Sequence, residues 1–82
     1  MAKQKIISNE YAYTVIYEPV RPSGYQAVVP MLRGLVTYGR SFEEARKMAR
    51  DAIVCYLESL IKEKATIPSE DGVLQEKVMV LV

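Results

Sequence analysis

The chain has no histidine, no tryptophan and a single cysteine among its 82 residues. Without histidine, the Ser–His and Cys–His pairs that activate a nucleophile cannot be assembled. One cysteine cannot build a zinc site or a disulfide. Cys55, set in a helical apolar stretch, reads as core or near-core packing and suits a reducing compartment. Long hydrophobic runs are missing as well. Nothing resembles a signal peptide or a membrane span, which makes the cytoplasm the expected location. Neither charge sign dominates, since eleven basic and ten acidic residues leave a formal charge of +1. The basic stripe that marks nucleic-acid binding is therefore absent, and no direct DNA contact is expected. Gly34 and Gly39 are too isolated to form a phosphate loop, and Gly39 reads as the turn into a helix cap. These absences leave no catalytic, metal or cofactor site to expect, and the chain reads as non-enzymatic.

Its length allows one domain, residues 1–82, with the core expected over 11–82 and a loose arm at 1–9. A chain this short buries only roughly 60% of its unfolded surface. With disulfides excluded, extra burial has to come from self-association or a partner.

Tyr11, Tyr13, Val15 and Tyr17 alternate with Ala12, Thr14 and Ile16, which predicts a strand over 11–18 that is apolar on both faces. Two prolines and Gly24 turn the chain, and further strands follow at 25–29 and 35–38. Such short connections favour an antiparallel meander. Ser41 and Glu44 have capping-box spacing at the head of the clearest helix, which runs from Phe42 to about Lys64. Phe42, Ala45, Met48, Ala49, Ala52, Ile53, Tyr56, Leu57, Leu60 and Ile61 make its apolar stripe. Glu43, Lys47, Asp51, Glu58 and Lys62 fall on the wet face, with Glu43–Lys47 and Glu58–Lys62 spaced as i,i+4 pairs. Residues 73–82, ending Val-Met-Val-Leu-Val, read as a last strand that belongs inside a sheet, its own or a neighbour's. The expected class is α+β, ordered β-β-β-α-β, with an antiparallel sheet and one helix on one face. The other face needs cover from outside the chain.

Four segments carry a family pattern: Tyr13-Thr-Val-Ile-Tyr-Glu-Pro19, Gly24-Tyr-Gln-Ala-Val-Val-Pro30, Gly34-Leu-Val-Thr-Tyr-Gly39 and Ser41-Phe-Glu-Glu-Ala45. In this order, and followed by the alanine-rich helix and Ile67-Pro68, they resemble the HicB antitoxin family over about residues 11–68. The resemblance implies a truncated RNase H-like domain without nuclease activity. It also implies a partner, a small HicA-type toxin that cleaves messenger RNA and is neutralised by direct contact. Many members add a DNA-binding module, for which these residues leave no room.

The loop Pro30-Met-Leu-Arg-Gly34 is more apolar and basic than the family's usual sequence, and Arg40 stands where an acid is frequent. Met31 and Arg33, with Tyr13 and Tyr17 of the first strand, are the expected partner-binding residues. The alternative is an orphan domain of the same fold that self-assembles, as a dimer or tetramer, without a toxin. A residual nuclease would need clustered strand carboxylates to hold metal ions, and only Glu18 and Glu76 are strand-associated.

Overall fold

Alternating apolar residues and short turns produce the expected antiparallel meander. In the computed structural model, which describes residues 10–82, β1 (Ile16–Pro19), β2 (Tyr25–Val29) and β3 (Leu35–Gly39) pair in the order β1-β2-β3. The helix α1 (Phe42–Lys62) follows, giving the expected α+β arrangement of three antiparallel strands and one helix. The arm expected at 1–9 lies outside the described residues.

The register decides which face the helix covers. Tyr17, Ala27 and Thr37 stand in one row across the sheet, and Ile16, Val28 and Val36 in the next. Ala27 and Val29 are fully buried, and so is Ala45 on the helix, with Ala49 close to it. The small side chains at 45 and 49 let the helix axis come close to the sheet. Tyr17 and Tyr25 both meet the Phe42 ring edge-on, with centroids 4.9 and 5.5 Å apart, which places the Tyr17 row on the helix side. The row of Ile16, Val28 and Val36 is on the open face.

The helix is held at both ends. Ser41 Oγ accepts from the Glu44 N–H at 3.1 Å, one leg of the expected box. Glu44 Oε1 reaches back one residue further than expected, to the Arg40 N–H at 2.5 Å. A cap of this kind is worth ~1 kcal/mol. At the other end the Ala65 N–H bonds to Leu60 O at 2.9 Å and the Lys64 N–H to Ile61 O at 3.0 Å, with Lys64 at φ +57°. That is a Schellman closure, and it stops α1 at Lys62, two residues earlier than the periodicity suggests. Lys47, which has a carboxylate one turn away on either side, pairs with Asp51 at 3.2 Å and not with Glu43. The pair is exposed and is worth little, ~0.5 kcal/mol or less.

Three expectations need correction. The first strand is ordered as a ladder only from Ile16, not from Tyr11. Its register opposite β2 would carry residue 14 to Pro30, which has no N–H to donate, so pairing ends there. Cys55 is exposed. It stands one position outside the half-buried stripe of Ile53, Tyr56 and Leu57. The last strand is the third case: residues 73–82 join no ladder among the described residues and every one is exposed, so they add no strand to the sheet of β1, β2 and β3. The turn closed by the Val73 N–H on Glu70 O, with Gly72 at φ +84°, leads into this unpaired apolar arm.

Candidate protein-interaction surfaces

Two surfaces stand out once the sheet and helix are placed. The first is the tip between β2 and β3. Pro30–Leu32 makes one 3-10 turn, and Arg33 at φ +58° and Gly34 at φ +71° then reverse the chain. Leu32 points inward and is fully buried, which leaves Met31 half-buried and Arg33 exposed on either side of it. Three residues from the tip along each strand are Val28 and Val36, members of the open-face row with Ile16. Val36 is 52% exposed and Ile16 39%. An apolar patch and a cation thus share one end of the sheet.

The second surface is a groove of about 870 Å³. It exists because α1 packs on β3 and β2, leaving the segment before β1 standing apart from the helix. Tyr11, Tyr13, Val15 and Tyr17 line one wall, and Ala49, Ile53 and Leu57 of α1 line the other. Charged helix residues rim it, Arg46, Lys47 and Arg50 with Glu43 and Glu58. The Arg46 guanidinium also lies 5.8 Å from the Phe42 ring centre, within cation–π reach.

The four expected partner-binding residues are therefore separated. Met31 and Arg33 are at the tip, whereas Tyr13 and Tyr17 face the groove on the helix side. Tyr13 is also engaged within the chain, its hydroxyl donating to Pro68 O at 2.6 Å. Beside it the Thr14 N–H donates to Glu70 Oε1 at 2.8 Å, and the Thr14 hydroxyl donates to the other carboxylate oxygen. Burial foremost, then the neighbouring Tyr11 and Glu70, raises the Tyr13 pKa. The Thr14 hydroxyl foremost, then its N–H, lowers that of Glu70.

No local signal reveals a contact between residues 56 apart. It has a consequence for stability. A carboxylate with a folded-state pKa below its unfolded value stabilises the fold above the unfolded pKa, and loses that contribution as pH falls through the folded one. Wild type is expected to resist urea better than Glu70→Gln at pH 7, with the gap closing in acid below the ordinary carboxylate value of 4.5. Urea midpoints between pH 7 and 3 check it, and a gap independent of pH would assign the difference to packing.

Among the described residues no three Cys, Asp or Glu side chains come together to hold a metal ion. Glu18 lies on β1 and Glu76 in the exposed arm. No helix of the described residues is long and apolar enough to cross a membrane. Neither surface has the polar constellation of a reaction centre, and both have the apolar and charged mixture of a protein contact.

The family model described as HicB_like antitoxin of bacterial toxin-antitoxin system matches residues 13–79. The chain belongs to the HicB-like antitoxin family. It is 43% identical over 65 residues to a UPF0150 protein of Synechocystis, an overlap of 79% of this chain and 82% of that one. A UPF0150 protein of Helicobacter pylori is 47% identical over 38 residues, 46% of this chain and 53% of the relative. No solved structure matches. The HicB-like match spans the hairpin tip, most of the groove and residues 73–79 of the arm.

Proposed function

We propose that this HicB-like chain is an antitoxin that neutralises a HicA-type, mRNA-cleaving toxin in the cytoplasm by direct contact, with no chemistry of its own. The toxin would meet the hairpin tip at Met31 and Arg33 and the adjoining row of Ile16, Val28 and Val36. Occlusion of the toxin's active site by this surface is the whole mechanism. The observation that carries the reading is the tip itself. A fully buried Leu32 fixes a turn with a half-buried Met31 and an exposed Arg33 on either side, next to the strand residues Ile16 and Val36, which the described residues leave exposed. The sheet with one helix on one face also accords with a truncated RNase H-like domain.

The experiment is RNA cleavage by a candidate HicA-type toxin, titrated with the purified chain. Stoichiometric loss of cleavage supports the reading. Met31→Asp with Arg33→Asp is expected to raise the concentration for half-inhibition by ~30-fold, the effect of losing one strong contact residue. Aspartate tolerates the left-handed backbone at residue 33, so the helical circular dichroism signal should stay unchanged. An inhibition curve that does not move would take the toxin contact away from the tip.

A second reading, an orphan domain that self-assembles without a toxin, is favoured by the exposed apolar arm. Full cleavage in the presence of a folded, oligomeric chain would support it.

A further inference from the structure

The arm at residues 73–82 is apolar and exposed, the groove beside α1 is apolar-walled and open, and the two match. We infer that the arm of one copy inserts into the groove of a second copy as an added strand, reciprocally, and that this exchange makes a symmetric dimer.

Length comes first. The helix wall of the groove runs from Glu43 to Ile61, about 27 Å at ~1.5 Å per residue. Ten extended residues span about 33 Å at ~3.3 Å each. The chemistry of the walls also fits a strand. Ala12 and Val15, on the wall before β1, belong to a stretch that joins no ladder among the described residues, and of its backbone groups the Thr14 N–H is taken by Glu70 while those of Ala12 and Val15 are in no such bond, open to a new neighbour. The facing wall is apolar.

The pattern of the arm points the same way. Residues 78–82 are apolar at odd and even positions alike, the signature of a strand covered on both faces. Leu74, Met79 and Leu81 are each more than 90% exposed in the single chain. A contiguous apolar surface of this extent is uncommon on a monomer.

A second copy is the occupant because the chain's own arm starts in the wrong place. Residues 68–70 already lie against Tyr13 and Thr14. The turn at Gly72 follows, and from residue 71 onward the arm is exposed. A two-fold exchange uses one arm and one groove from each copy, so the contact closes and no further copies add. It leaves the hairpin tip and the open-face row free. It does not depend on the toxin reading, because the test uses this chain alone.

Sedimentation of the full chain decides it. Wild type is expected to be a dimer at micromolar concentration. Val78→Asp with Val80→Asp in the arm, and Val54→Asp with Ile61→Asp at the groove, should each weaken association by ~100-fold or more. All four side chains are about half exposed or more in the single chain, so the monomer should keep its helical signal. Mixing the arm variant with the groove variant should restore a dimer, because one intact arm then meets one intact groove. A monomeric wild type would overturn the inference, as would a dimer indifferent to both variants or a mixture that stays monomeric.

Discussion

Gly39→Ala is expected to destabilise the domain by about 3 kcal/mol, at the upper end of what overpacking usually costs. Gly39 is buried at the end of β3, where the strand meets the first turn of α1. A methyl group there would overlap the backbone nitrogen of Ala45 and lie 2.5 Å from its Cα and 2.6 Å from the Glu44 carbonyl carbon. All three atoms are backbone, so no side chain can swing away. The helix start would have to lift, taking with it the fully buried Ala45 and the Ser41 cap. Against a total stability of roughly 4–12 kcal/mol for a chain of this size, a loss of that order can leave the domain partly unfolded.

Gly34→Ala is the control. Gly34 has φ +71° but nothing within 4 Å of an added methyl. It should cost only the ~1 kcal/mol of left-handed backbone strain. Urea midpoints read both variants. Equal losses would mean that the close approach of β3 to α1 is not what limits stability.

Gly39 also shows where sequence reasoning stops. Its isolation and the cap at Ser41 identify a turn, and the helix stripe and the three strands were readable from period and punctuation. The close approach was not, because a missing side chain leaves no trace of what it makes room for. The capping box was readable as a spacing, but its second leg goes to Arg40, and the choice between adjacent N–H groups depends on the local entry of the chain.

The candidate surfaces divide in the same way. Met31 and Arg33 stand out in the sequence because their loop is more apolar and basic than the family's usual one. Tyr13 and Tyr17 were placed with them because both faces of the first strand are apolar, so alternation alone could not say which one the helix takes. The register against Ala27 and Val29 settles that, and register is a property of pairing between segments. Residues 73–82 have a strand's pattern and no ladder partner among the described residues. Strand propensity describes what a segment can do beside a neighbour, and it does not say whose neighbour it will be.

Leu32→Ala should have the other large effect, 2–5 kcal/mol by the usual cost of removing a buried leucine side chain. The buried core among the described residues is Ala27, Val29, Leu32, Ala45 and Ala49, and of these only Leu32 and Val29 are larger than alanine. Truncating Leu32 removes one of the two substantial fully buried side chains among the described residues. Leu32→Met keeps the volume and should cost less than ~1.5 kcal/mol. The position matters beyond the core, because Met31 and Arg33 flank it in the same turn and point outward only while Leu32 points in. A ligand that binds the folded state alone adds stability, ~2.7 kcal/mol at a hundred times its Kd. A toxin bound at this tip should therefore raise the melting temperature of Leu32→Ala and recover part of its lost helical signal. Thermal melts with and without toxin measure this. A toxin-induced rise as large as that of wild type, despite the disturbed turn, would separate the tip from the contact.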